Sequence, residues 1–286
     1  MGYDPNYDPN GPNYPSQDAP WRRDSRSEVQ QQYPGYPGAQ AYGYPADPAL
    51  YAIDIGIVMR QVYLWLAFGL AVGFGISYAL GHALQNDLAT YQATNQASGL
   101  LTLVLSPVAW IVSLVAWFVI GFGFFPIVQR AGVAVSAVLF TIFAAIFGFW
   151  TSLLFLEYTD ASIAVAFVTT TSMFAVMSII GYITHVDLSR FGPILLMALV
   201  GLIIASLVNL FVHNPTLYWV VSYAGVVIFA GLTAYDTQWI KKRATAVARS
   251  GKADSAERIA LMGAFKLFLD FINLFLFLVR IQGRSR

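Results

Sequence analysis

The sequence contains no cysteine and only three histidines, His82, His185 and His213. Without cysteine the chain has no disulfide, no thiol nucleophile and no thiolate metal ligand. The three histidines fall in separate connecting segments and match no metal-ligand spacing. The rest of the chain shows no nucleophile–base pair and no phosphate-binding loop. We therefore expect neither enzymatic activity nor a resident cofactor.

Charged residues are also scarce. They make up 11% of the 286 residues, whereas hydrophobic residues make up 57%. A soluble domain contains about 25% charged residues, so this composition predicts an integral membrane protein. The formal net charge is +1, and so balanced a chain has no strong overall field that would attract nucleic acid. We expect the lipid bilayer to be its main partner and expect no nucleic acid.

Residues 1–50 differ in composition from the rest of the chain. They repeat the motifs Tyr-Asp-Pro-Asn and Tyr-Pro-Gly and contain few aliphatic residues. Proline interrupts helices and sheets, and without aliphatic residues no core can form. We predict a disordered cytoplasmic tail rich in Tyr, Pro, Gly and Asn, followed by a transmembrane domain over 51–286. The tail is either a solvated tether, which we favour, or a segment that binds a partner.

Seven apolar runs follow the tail, each close to the roughly 20 residues that a helix needs to cross a bilayer. We place them at 61–84, 101–124, 132–154, 161–183, 191–213, 217–240 and 261–281. The runs are too long and too continuous for the strands of a barrel. The predicted fold class is an all-α membrane protein, a bundle of seven transmembrane helices. In the first span Gly69, Gly73, Ser77 and Gly81 recur at every fourth position, which favours close packing inside the bundle over a dimer interface.

Lysine and arginine occur in alternate connections. The residues concerned are Arg22, Arg23, Arg26, Arg60, Arg130, Arg190, Lys241, Lys242, Arg243, Arg249, Lys252 and Arg258. Because basic connections face the cytoplasm, we predict a cytoplasmic N-terminus. Seven full spans then place Arg280, Arg284 and Arg286 on the outer side, whereas a re-entrant last segment would keep them inside. We prefer seven full spans, since 261–281 is long enough to cross.

Two acidic residues lie inside the last two spans. Asp236 is near the predicted end of the sixth span, and Asp270 is in the middle of the seventh. An idle charge inside a bilayer is costly, so both residues are candidates for an ion path and a pH sensor. Two carboxylates in a low-dielectric pocket would share a proton, and when ionised they would be transient ligands for Ca²⁺. For Asp236 the alternative is contact with water, or with Lys241 or Lys242.

Two further residues share the helical face of Asp270. Asn273 either hydrogen-bonds the carboxylates, lines the path or only packs between helices. Lys266 either pairs with Asp270 or extends to the cytoplasmic edge of the membrane, and we favour the second reading. Trp239 and other aromatic residues near the span ends are expected to be interfacial anchors.

Several short motifs together resemble the Bax inhibitor-1 family of transmembrane proteins. The segment Leu269-Asp-Phe-Ile-Asn-Leu-Phe275 is similar to the last-helix signature of the family, and Tyr235-Asp-Thr-Gln238 to its sixth-helix motif. Asp187-Leu-Ser189 resembles its fourth-to-fifth connection, and Met59-Arg-Gln-Val-Tyr63 resembles the start of its first helix. The likeness covers about residues 55–283.

The resemblance implies a seven-helix bundle with the last helix at its centre, and a pH-sensitive calcium leak. The paired aspartates of the family correspond to Asp236 and Asp270. A basic residue thought to latch onto that pair corresponds to Arg130. Some members have an acidic residue in the second helix, which 109–124 lacks. Lys266 stands where many members have a small polar residue, so it either weakens calcium passage or acts as a built-in counter-ion.

These observations lead to two function hypotheses. The first is a passive Ca²⁺ leak, with Asp236 and Asp270 as gate and proton sensor, closed at low pH and open when the pair ionises. The alternative is a non-conducting regulator or scaffold of stress response, cell death or membrane proteolysis, with a membrane protease or a stress-response protein as partner. The lack of cysteine and of a signal-like N-terminal segment favours a bacterial inner membrane.

Overall fold

The computed structural model describes residues 48–96, 98–250 and 253–284, and these are helical without strands. The helices are α1 (Pro48–Thr94), α2 (Gly99–Val104), α3 (Pro107–Ala131), α4 (Val133–Thr151), α5 (Leu154–Glu157), α6 (Asp160–Ile183), α7 (Gly192–Val212), α8 (Pro215–Ser250) and α9 (Ala253–Gln282), with a 3-10 turn at Leu188–Phe191. Seven helical segments are long and apolar enough to cross a membrane, which confirms the predicted bundle. The predicted disordered tail falls almost wholly on residues 1–47, outside the described residues.

Local sequence signals set several of the helix boundaries. Pro107 and Pro215 are the first residues of α3 and α8, where the missing backbone N–H of proline costs nothing. Gly132 joins α3 to α4 with a φ of 86°, a left-handed conformation that favours glycine. The second span therefore starts at Pro107 and not at 101, and 99–104 is a separate short helix.

Helix α8 continues well past the predicted end of the sixth span. We predicted an end at residue 240, but the helix runs to Ser250. The predicted boundary followed hydropathy, which drops at Lys241. Lysine, arginine and alanine are nevertheless good helix formers, so the helix continues after its apolar segment ends. Asp236 is consequently an interior residue of a long helix and not a residue near a helix end.

The last helix is the centre of the bundle. In its apolar window 78% is buried, compared with 6% for the segment that contains α7. Phenylalanines of α9 contact rings from five other helices: Phe265 stacks on Phe124 of α3 and lies against Phe143 of α4, Phe275 lies against Phe74 of α1 and Phe167 of α6, and Phe277 stacks on Phe229 of α8. The predicted central position is confirmed, with α7 the least enclosed neighbour.

The last helix also runs the whole length of the bundle. Near its start, the guanidinium of Arg258 donates a hydrogen bond to the carbonyl of Gln129, close to the end of α3. At its other end, the amide of Arg284 donates to the Ser162 hydroxyl, in the first turn of α6. These two places lie at opposite ends of α4, so a re-entrant last segment is wrong. We call the end that contains Gln129 and Arg258 the basic end, and the other the opposite end.

The small-residue face of α1 packs inside the bundle. A Cβ atom on Gly69 would lie 2.4 Å from the Phe140 ring of α4, and one on Gly81 would lie 2.7 Å from Phe155 of α5. Ser77 on the same face is buried. The glycines therefore allow close approach of α1 to α4 and α5 inside the bundle, as predicted.

Candidate functional site

Asp236 of α8 and Lys266 of α9 form an ion pair inside the bundle. The Lys266 ammonium donates a hydrogen bond to Asp236 Oδ1, and the two side chains are only 24% and 7% exposed. The ammonium also lies 5.1 Å from the ring centroid of Trp239. The prediction that Lys266 extends to the membrane edge is therefore wrong. A buried ammonium needs an opposite charge nearby, and Asp236 of the adjacent helix α8 supplies it.

Asp270 lies one helical turn beyond Lys266 on the same face of α9. Its residue exposure is 4%, and its Oδ2 atom has no hydrogen-bond partner among the described residues. It lines the same space as Asp236 and Lys266, which bind each other beside it. The site thus contains two carboxylates and one ammonium, with a net charge of −1 when all three are ionised. Lys266 therefore pairs with Asp236. The predicted alternative, in which Lys266 pairs with Asp270, is wrong.

A cavity of about 1090 Å³, which we call the groove, brings these residues together. Asp236, Lys266 and Asp270 line it from α8 and α9. Its opposite wall is α7 with the 3-10 turn before it, and the lining residues there run from Ser189 to Leu210. At 1.5 Å per residue that wall is about 30 Å long, comparable to the hydrocarbon thickness of a bilayer. One side of α7 thus faces the central helix across a space, which contributes to its low burial.

One face of α9 forms the charged wall of the groove. Lys266, Asp270, Asn273, Phe277 and Arg280 all line it, at the alternating spacings of four and three that place residues on one side of a helix. The amide nitrogen of Asn273 donates to the carbonyl of Leu269, 2.8 Å away in its own helix. Of the roles predicted for Asn273, the structure therefore supports lining of the groove.

The connection between α6 and α7 closes the groove at the basic end. Gln238 of α8 holds the connection with two hydrogen bonds, one to the carbonyl of Val186 and one from the amide of Leu188, both 2.8 Å. Lys242 binds the carboxylate of Asp187 and the hydroxyl of Ser189. Ser189 also lines the groove, so α8 carries both the charged site and the residues that hold the connection in place.

Asp187 is the ionisable group of this closure. The hydrogen bond from Lys242, with those from Ser189, lowers the pKa of its carboxyl from 3.8 to about 2. The carboxylate is therefore ionised at any physiological pH. A pH response near neutrality must come from another group.

Two predicted contacts are absent from the described part of the chain. Arg130 is exposed at the end of α3 and does not line the groove, so the structure does not bring this proposed latch to the carboxylates. Lys266 supplies the cation instead. Lys241 donates to the carbonyl of Tyr182, and Lys242 holds the connection, so neither pairs with Asp236.

Sequence reasoning missed three residues of the site. Trp239 contacts Lys266 instead of being only an anchor, and its position three residues after Asp236 was the available signal. Tyr235 lines the groove and presses against Gly192, where a Cβ atom would lie 2.9 Å from the phenol oxygen. Trp117 of α3 also lines the groove, and its indole nitrogen has no hydrogen-bond partner among the described residues. Nothing in the sequence around Trp117 indicates this.

The donor set does not suit a resident metal ion. Among the described residues, no three or more His, Asp or Glu side chains are grouped to hold one. Asp236 is already paired with Lys266, and Asp270 has a buried oxygen without a hydrogen-bond partner among the described residues. Stable Ca²⁺ sites use six to eight oxygen ligands, so these two carboxylates alone would not hold a resident Ca²⁺ ion.

These features define the class of the protein: a multi-pass helical membrane protein with a charged groove beside a central last helix. Residues 56–286 match the family model described as Inhibitor of apoptosis-promoting Bax1, and the chain belongs to this Bax inhibitor-1 family. The resemblance in the sequence motifs is thereby confirmed.

Bacterial relatives are similar over more than half of the chain. It is 45% identical to the inner membrane protein YbhL of Escherichia coli strain K12 over 159 residues, 56% of this chain and 68% of YbhL. It is 42% identical to the protein RP147 of Rickettsia prowazekii over 170 residues, 59% of this chain and 68% of the relative. A protein of Deinococcus radiodurans is 44% identical over 159 residues, 55% of this chain and 67% of the relative.

Proposed function

We propose that this protein is a passive Ca²⁺ leak of a bacterial inner membrane, regulated by protons at Asp236 and Asp270. The observation that carries the proposal is the unpartnered Oδ2 atom of Asp270, in a groove that also contains the Asp236–Lys266 pair. A polar atom buried at this depth without a partner is costly, which points to a functional role.

Charge counting gives the direction of the regulation. Lys266 balances Asp236, so the net charge of the three groups depends on Asp270. Protonated Asp270 leaves these three groups neutral together, whereas ionised Asp270 adds one negative charge and a hard oxygen ligand for Ca²⁺. The flux is therefore expected to rise with pH. Asp236 acts by placing a second negative charge beside Asp270, which couples the ionisation of the two groups.

The orientation follows from the basic end. Arg190, Lys242 and Arg258 belong to this end, so we propose that it faces the cytoplasm and that the N-terminus lies there too. The C-terminal end of α9 then faces outward. The relative YbhL is named an inner membrane protein, which supports an inner-membrane location for this chain. A reporter enzyme that is active only outside the cytoplasm, fused after Arg286, should be active.

The deciding experiment is Ca²⁺ entry into liposomes that contain the purified protein, recorded between about pH 6 and 8. Wild type should admit Ca²⁺ faster as the pH rises, and Asp270→Asn should lose this dependence. Asp87→Asn is the matched control, because it makes the same chemical change at a residue of α1 that does not line the groove, and it should keep the pH dependence. Equal pH profiles for wild type and Asp270→Asn would overturn the proposal.

The second candidate is a non-conducting regulator or scaffold, in line with the name of the family model. One observation favours it: Lys266 and Arg280 place two cationic groups on the groove wall, which opposes the passage of Ca²⁺. The partner would be a membrane protease or a stress-response protein. Absence of flux at every pH, with partner binding lost on deletion of residues 1–50, would support this candidate. We propose neither an enzymatic activity nor a bound cofactor.

A further inference from the structure

A second cavity joins the groove at the opposite end of the bundle. This cavity of about 670 Å³, the mouth pocket, is lined by the start of α8 and the ends of α5, α7 and α9. Ser206, Leu210 and Arg280 line both cavities. The two spaces therefore adjoin at these residues, and together they extend from Asp270 to the end of α7.

The mouth pocket contains many polar groups and includes exposed residues at this end of the bundle. Its lining includes Glu157, Tyr158, Asn209, His213, Asn214, Tyr218 and Arg280. Further in, the indole nitrogen of Trp117 and Oδ2 of Asp270 are buried without a protein hydrogen-bond partner among the described residues. Such groups are normally satisfied, and water reaching the groove from the mouth pocket would satisfy both.

Arg280 stands where the two cavities adjoin. Its side chain is exposed, and its guanidinium lies 5.4 Å from the ring centroid of Phe277, which also lines the groove. Glu157 is the one carboxylate among the lining residues of the mouth pocket. Tyr158 stays neutral, because burial and the neighbouring Glu157 raise its pKa to about 12. An ion passing from the mouth pocket to Asp270 must move past the guanidinium.

We propose that the mouth pocket is an aqueous vestibule in which the positive charge of Arg280 selects the ions that reach the groove, slowing cations and favouring anions. This inference deepens the proposed function, because it places an electrostatic filter on the outer side of the path. Arg280 acts on ions in transit and is distinct from the proton-sensing carboxylates.

The absence of native cysteine makes a direct test available. In the Ser206→Cys variant the only thiol lies where the two cavities adjoin. Val208→Cys is the matched control, since Val208 is on the same helix, is 47% exposed and lines neither cavity. Two residues along a helix change the depth by only about 3 Å. Proteoliposomes are treated from outside with membrane-impermeant methanethiosulfonates, one cationic and one anionic, at fixed pH.

Ser206→Cys should react with both reagents much faster than Val208→Cys, because a thiol facing lipid does not form the reactive thiolate. In the Ser206→Cys background, Arg280→Gln should slow the anionic reagent and speed the cationic one. An interaction of about one RT in water between the Arg280 charge and a charged reagent changes each rate roughly threefold, so the ratio of the two rates should change roughly tenfold. Arg280→Lys keeps the charge and should leave the ratio near that of the parent.

Each result decides a separate point. Equal, slow labelling of Ser206→Cys and Val208→Cys would overturn the vestibule. Rapid labelling with a ratio unmoved by Arg280→Gln would overturn the filter. Neither readout depends on Ca²⁺ flux. If the vestibule is labelled with the expected charge selectivity but the protein shows no flux, this inference stands and only the proposed leak is refuted. In a conducting protein, Arg280→Gln should also raise Ca²⁺ entry several-fold.

Discussion

The ion pair of Asp236 and Lys266 gives the sharpest prediction. If Lys266 pairs with Asp236, its removal should lower the stability strongly, whereas a Lys266 head outside the pair should leave the stability unchanged. Lys266→Gln removes the cation and leaves Asp236, only 7% exposed, without a counter-charge. Breaking a buried pair by deleting one partner costs about 3–5 kcal/mol. For a helical unit of this size each kcal/mol corresponds to roughly 2–4 °C in Tm, so the variant should unfold roughly 6–20 °C lower.

The double variant separates the pair from its parts. Asp236→Asn alone strands the ammonium and should also destabilise, whereas Asp236→Asn with Lys266→Gln removes both charges and should recover much of the loss. The double-mutant cycle should therefore be strongly non-additive, with a coupling of about 1–3 kcal/mol. Tryptophan fluorescence during thermal unfolding in detergent at pH 7.5 is a suitable assay. Lys266→Arg, which keeps the charge, is the control for side-chain size.

Acid should reduce the effect of Lys266→Gln. Once Asp236 takes up a proton it no longer needs the ammonium, so the difference in Tm between wild type and variant should shrink at low pH. The same variant should move the midpoint of the flux–pH curve to higher pH, because removal of a cation disfavours ionisation of both carboxylates. An unchanged Tm with additive variants would refute the reasoning and show that the Lys266 head lies outside the pair.

Three further predictions concern other parts of the bundle. Asp187 has a pKa of about 2, below its ordinary 3.8. Its pair with Lys242 therefore stabilises the α6–α7 connection above about pH 4, and this stabilisation is lost as the pH falls through 2. At pH 7, protease cleavage within 184–191 should be faster for Asp187→Asn than for wild type. Gly181→Ala should lower stability by about 1–3 kcal/mol, because its Cβ would lie 2.2 Å from the backbone oxygen of Ala234. In Gly75→Ala the new Cβ has nothing within 4 Å, so this control should be neutral or stabilising when both variants are unfolded by heat. Removal of the latch candidate by Arg130→Gln should leave the flux–pH curve unchanged, since Arg130 does not line the groove; a shifted curve would show that α3 approaches the carboxylates in another state.

Some of the site was predictable because membrane depth alone makes a charge conspicuous. Asp236 and Asp270 are found by hydropathy, and the spacing of Asn273 and Lys266 places them on the face of Asp270. Spacing within one helix does not tell which neighbouring helix supplies a partner. For Lys266 the choice between the membrane edge and an ion pair depends on the position of α8, and one helix considered alone favours the wrong answer.

The sequence by itself determined the membrane class, the seven spans, the central last helix through its family motifs, and the two intramembrane carboxylates. The class, the spans and the carboxylates follow from composition, run length and the cost of burying charge, which are properties of local sequence, whereas the central position of the last helix is what the family resemblance implied. Only the tertiary structure decided that Lys266 binds Asp236, that Arg130 stays away, and that α7 leaves a groove beside α9. Those outcomes depend on how side chains from different helices fill or fail to fill the space between them, which no single helix encodes.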